Sequence, residues 1–206
     1  MSYSDFTLAT LQQRFGIAQQ YAPLFLPDTV RPLVPSEMLL QTLHYGMQLP
    51  RGNEKAKSEN IISPILREIA YRNRARCTPF SGYALNVDRK QHLTGVCDYL
   101  FALKPYIAEP EAPIFCLVEA KKGAIEDAYG QCGAEMIAAR MYNASFGKPI
   151  SVIYGCVTNA DTWSFLKLHE QTLNLDTDTY SLKELGLLLG VLQHIINSYP
   201  SADAVS

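Results

Sequence analysis

Three charged residues, Asp98, Glu119 and Lys121, stand in the pattern D-x(20)-E-x-K within segments otherwise made of β-formers, TGVC-Asp98-YLFAL and IFCLV-Glu119-Ala120-Lys121. Side chains alternate along a strand, so Glu119 and Lys121 project to one side. The same rule puts Asp98 with Val96 and Leu100, and Cys97 with Tyr99 and Phe101 on the other face. Strands apolar on both faces belong in the middle of a covered sheet, where an unpaired carboxylate costs several kcal/mol or becomes neutral. Two acids and a lysine in such places share one chemical explanation. A divalent cation held by the acids is the expected one.

Those residues need a layered domain to position them. A helix is expected from about 55 to 74, where Glu59, Ile62, Leu66, Ile69 and Ala70 fall on one stripe, so that Glu59 points with the apolar face. Pro64 either kinks this helix or begins it with Ser63 as N-cap, which would leave Glu59 just outside. Strands are expected at about 82–87, 94–103 and 114–121, the first two joined by a short polar connection. A long helix follows at about 125–146, closed by Gly147 and Pro149. A hairpin at 150–158 and 162–169 turns on Asn159-Ala160-Asp161, and a last helix starts at Ser181, with Glu184 completing a capping box. Its apolar stripe runs from Leu182 to Tyr199. Ahead of this core, residues 3–20 read as helical with a stop at Phe15-Gly16. Five prolines between Pro23 and Pro50 mark a loop-rich stretch with one short helix at 36–46. Periodicity alone establishes an α/β layered domain.

The constellation resembles the PD-(D/E)XK nuclease superfamily, whose fold is restriction-endonuclease-like: a three-layer αβββαβ core with a mixed central sheet flanked by helices. The resemblance spans residues 54–170, within a single domain of 1–206 that adds a helical and loop extension at 1–53 and a helix at 181–199. It departs from the family where Cys97 replaces the proline of the motif, a residue that binds no metal. The resemblance implies Mg²⁺- or Mn²⁺-dependent phosphodiester hydrolysis, with nucleic acid, expected to be DNA, as substrate and a homodimer as one assembly. Asp98 and Glu119 would be direct ligands, the Ala120 carbonyl a third, and Glu59 would complete the shell directly or through water. Lys121 would stabilise the attacking hydroxide or the developing phosphorane charge. Gln131 on the following helix would orient water or hold phosphate, with Glu135 one turn on behind it. Lys122 faces opposite to Lys121 if the strand continues, which leaves a phosphate contact open there and no more.

Composition sets the bounds. The chain has 206 residues, 48% hydrophobic and 18% charged, which suits one well-buried globular domain. Its start, MSYSDFTLAT, lacks a basic stretch followed by an apolar one, and LGLLLGVL is too short to span a bilayer, so a cytoplasmic protein is expected. The five cysteines form no C-x-x-C pair and the four histidines lack ligand spacing, so all nine take structural or surface roles. Net charge is −2, yet residues 51–76 hold seven Lys/Arg against three acids, a strip suited to a polyanion or simply a solvated helix face. Three rival readings remain at this level: the same fold used only for binding, a Schiff-base enzyme built on Lys121, and a structural oligomer packed through the terminal helix.

Overall fold

The computed structural model of the protein describes residues 2–121 and 123–200; Lys122 lies outside them. Its centre is an open, mixed and largely antiparallel sheet of eight strands among the described residues, with helices on both faces, an α/β architecture. The strands are β1 (Ala18–Ala22), β2 (Thr78–Ala84), β3 (Val96–Ala102), β4 (Ile114–Ala120), β5 (Val152–Thr158), β6 (Thr162–His169), β7 (Thr172–Asp176) and β8 (Tyr180–Ser181). Their order is β1-β7-β6-β5-β4-β3-β2, with β8 against β6. β2, β3 and β4 form an antiparallel meander, and β5 then lies parallel to β4. Strands β6 and β7 return antiparallel, and β1 closes the far edge parallel to β7. No helix among the described residues is long and apolar enough to cross a membrane.

Helices α1 (Leu8–Phe15) and α5 (Tyr129–Ser145) cover one face. Helices α2 (Glu37–Gln48), α4 (Ser63–Arg72) and α6 (Leu185–Asn197) cover the other. The two apolar cores include the fully buried Trp163, Phe115 and Phe165, and each large side chain so buried contributes about 1.5–3 kcal/mol. Helix α5 is rich in Gly and Ala and sinks close to the sheet. A Cβ at Gly155 of β5 would lie 2.5 Å from Met136 Sδ and 2.7 Å from Cys132 Sγ. That close approach sets Gln131 and Glu135, on the same helix, against the carboxyl end of β4.

Several elements depart from the sequence reading. The expected N-terminal helix stops at Gly16, which takes the left-handed conformation (φ 66°), and residues 18–22 form an edge strand instead. Strand β2 starts at Thr78 rather than 82. Cys97 packs with Leu100 in the α5-side core, while Tyr99 and Phe101 enter the other. Alternation therefore holds from Tyr99 onward and breaks at Cys97, beyond the last β3–β4 pair, Tyr99 with Val118.

The main difference lies in the helix before β2. Helix α3 (Glu54–Lys57), one π-helical turn (Ser58–Ile62) and α4 run on without interruption, Pro64 falling in the first turn of α4. A π-turn inserts one extra residue, which rotates everything upstream by about 100° relative to the apolar stripe downstream. Glu59 is thereby turned outward, and Ser58 takes the inward stripe with its hydroxyl 2.5 Å from that of Tyr99, while Glu54, one turn before it, stays exposed. Helix α2 presses on this turn with Gly46, where any Cβ would collide with the Asn60 carbonyl oxygen.

Candidate active site

Strands β3 and β4 part at Asp98. Two residues past Val118, the last of β4 paired with β3, the Ala120 N–H is donated not to a strand carbonyl but to Asp98 Oδ2, at 2.8 Å. This hydrogen bond fixes the Asp98 carboxylate beside Glu119, on the face covered by α5. Lys121 continues β4 by donating its N–H to the Thr158 carbonyl on β5 at 2.7 Å. Its side chain returns to the same face, with Nζ 2.9 Å from Glu119 Oε1 and 3.0 Å from Gln131 Oε1. Lysine only donates, so the Gln131 amide must present its oxygen here and its nitrogen elsewhere. That nitrogen donates to Glu135 Oε1 at 3.2 Å. Asp98, Glu119, Lys121 and Gln131, all expected at the site, are thus brought together, and Glu135 backs them.

Glu59 is not brought in. Its side chain is 65% exposed and faces Lys55 at 3.9 Å. The expectation that Glu59 points with the apolar face is therefore corrected, and the π-turn supplies the reason. Glu54 takes the place near the cluster. Its charge acts on both Asp98 and Lys121, and it lines an open cleft of about 530 Å³ together with Asn53, Lys55, Ala56 and Glu59. A straight helical projection gives no reason to select Glu54; only the inserted residue does.

The electrostatics are those of acids crowded out of water. Glu119 is 3% exposed, and burial followed by the charge of Asp98 pushes its carboxyl up to about 7 against the opposing pull of Lys121. Glu135 is fully buried and pushed well above the ordinary glutamate range, first by burial and then by Glu119. Asp98 is also raised by burial, although the Ala120 N–H and Lys121 favour its ionised form. Burial alone would lower Lys121, but its ion pair with Glu119 and the charges of Glu54 and Asp98 outweigh that and hold it protonated. The side chains of Glu119 and Glu135 share a hydrogen bond, in which the protonated Glu135 carboxyl donates to Glu119. With that proton lost, one ammonium cannot offset the charge of the set.

Among the described residues, no group of three or more His, Cys, Asp or Glu side chains is arranged to hold a metal ion. Any cation would rest on Asp98 and Glu119, with the Ala120 carbonyl and water. Such a set suits Mg²⁺, which takes one or two carboxylates, keeps several waters and binds substrate phosphate. No protein-family model matches the chain, and a search of curated proteins found no match. The roles above stand on geometry and charge.

Proposed function

We propose that the protein is a Mg²⁺-dependent nuclease of the PD-(D/E)XK type with a restriction-endonuclease-like core, hydrolysing phosphodiester bonds of nucleic acid, DNA being the expected substrate. The observation that carries this reading is the convergence of Asp98, Glu119 and Lys121 where β3 parts from β4, with Gln131 fastening the lysine. The run α4-β2-β3-β4-α5-β5 supports it, because it has the αβββαβ order of that family's core.

Asp98 and Glu119 would hold the ion. The raised Glu119 carboxyl supports that role, since burial and the charge of Asp98 disfavour its ionised form until something positive reaches it. Bound there, Mg²⁺ would polarise the scissile phosphate and lower the pKa of an attacking water. The Ala120 N–H keeps Asp98 oriented before any ion arrives. Lys121 stabilises the negative charge that develops on the phosphoryl oxygens, from a position set by Glu119 and Gln131. Gln131 acts by holding Lys121 rather than by binding water. Glu59 takes no part.

The test is calorimetric titration of Mg²⁺ and Mn²⁺ into the chain and into Asp98→Asn, followed by cleavage assays on DNA and RNA with Lys121→Ala as control. Binding that is lost in Asp98→Asn, with cleavage reduced about 10²–10³-fold in Lys121→Ala, is the expected result. Metal binding unchanged by Asp98→Asn, or full cleavage by Lys121→Ala, removes the site assignment.

A further inference from the structure

Beyond the cluster, the helix bearing Glu54 leads to a second feature. From Glu54 to Arg72 it runs as one rod about 30 Å long at 1.5 Å per residue. Its two other acids are engaged: Glu59 faces Lys55, and Glu68 binds Arg72 and the Ser36 hydroxyl. The outward side at the far end presents Arg67, Tyr71 and Arg74, spaced i, i+4 and i+7. Tyr71 is 68% exposed, and the Arg74 guanidinium lies over its ring at 4.7 Å. Across a small groove of about 230 Å³ stands Tyr106, 79% exposed. Its φ of 55° is a left-handed backbone that a bulky residue rarely adopts, so the loop holds this ring outward at a conformational cost.

Two exposed tyrosines and an arginine around one notch offer a flat apolar slot beside positive charge. The notch is smaller than the roughly 300–1,000 Å³ of a drug-sized site and suits a single planar group. A nucleobase is such a group, and the strand it belongs to carries the phosphates that Arg67 and Arg74 complement. Base-on-aromatic stacking within a cationic track is how single strands are held without regard to sequence. The geometry points to a single-strand binding track along the α3–α4 helix, from the cleft at Glu54 to a base-stacking notch formed by Tyr71, Arg74 and Tyr106. Its length matches roughly eight stacked nucleotides at 3.4 Å each. Duplex DNA buries its base faces and would gain nothing from the notch. The inference rests on the nuclease reading for its nucleic-acid substrate, and it specifies an unpaired strand.

The experiment measures fluorescence anisotropy of end-labelled DNA and RNA oligonucleotides, single-stranded and duplex, with the full chain in excess EDTA so that nothing is cut. Tyr71→Ala and Tyr106→Ala should each weaken single-strand binding about fivefold to a hundredfold, leave duplex binding unchanged and keep the wild-type melting temperature. Tyr71→Phe, which keeps the ring, should bind like wild type. Absence of single-strand binding by the wild type overturns the proposal, as does full affinity in the double alanine variant or equal weakening for duplex. Metal titration of the same proteins, dialysed free of EDTA, separates the two readings. Tyrosine-dependent binding in a chain that takes up no Mn²⁺ leaves the track standing and removes the nuclease, and the reverse result does the opposite.

Discussion

Replacing Glu119 by Gln removes a charge from the crowded cluster, and the structure sets the size and pH dependence of the effect. The carboxyl is raised from 4.5 to about 7 by burial and by Asp98, so the folded chain binds more protons than the unfolded chain between those values. Stability therefore falls as pH rises through that window and levels off above about 7. At about 1.4 kcal/mol for each pH unit separating the two values, ionised Glu119 costs about 3 kcal/mol in metal-free protein. Glutamine mimics the protonated acid, so Glu119→Gln should match wild type near pH 4 and exceed it by about 3 kcal/mol near pH 8. In a chain of this size that is roughly 6–12 °C of melting temperature. The assay is thermal melting of both proteins in EDTA across that range; the difference cancels the titrating groups that Glu119 does not touch and retains its effect on Asp98, Lys121 and Glu135. If the two curves run parallel at all pH values, or the variant is the less stable at high pH, Glu119 is a settled partner of Lys121 and the cluster is structural.

Other consequences are as specific. Glu54→Gln should weaken Mn²⁺ binding measurably, because it removes a charge that acts on Asp98 and Lys121, whereas Glu59→Gln should leave it unchanged; the reverse order in calorimetry would contradict the π-turn assignment. Gln131→Ala leaves Glu135 with no amide donor and Lys121 without its second anchor. It should cost about 1–3 kcal/mol in denaturant unfolding and lower kcat more than it raises KM. Gly46→Ala drives a methyl into the Asn60 carbonyl, and a loss of about 1–3 kcal/mol is expected in the same unfolding assay.

Much of the site was readable because its signals are local. Charges inside the apolar runs TGVCDYLFAL and IFCLVEAK are visible without knowing what packs on them, and α5, β5, β6 and α6 stand out as apolar runs bounded by turn residues. What escaped depends on distant partners. The π-turn at Ser58–Ile62 is shaped by α2, whose Gly46 closes on Asn60 from another part of the chain, so a 3.6-residue projection selected Glu59 instead of Glu54. Strand β1 reads AQQYA, with no apolar alternation, and owes its extended form to pairing with β7 at the sheet edge. Cys97 leaves its expected face because β3 has already separated from β4 there, which is also what frees the Ala120 N–H to grip Asp98.

That separation and the buried acids belong to one physical argument. Ladder pairing between β3 and β4 would have satisfied the Ala120 N–H without a carboxylate, and apolar residues at positions 119 and 135 would pack between β4 and α5 with no desolvation cost. Instead the chain places three carboxyls around a single ammonium, each raised by burial, with a proton held between Glu119 and Glu135. Losing that proton leaves buried charge, a serious cost against a net stability of only about 5–15 kcal/mol. At high pH the set becomes a cluster with more negative charge than its lysine offsets. One kept short of positive charge is stabilised by whatever supplies it, so added Mg²⁺ should raise the melting temperature most at high pH, where the acids are ionised, and least near pH 5. Heating the wild type with and without Mg²⁺ at both pH values decides this, and a shift of equal size at the two would mean that the ion binds somewhere other than among these carboxylates.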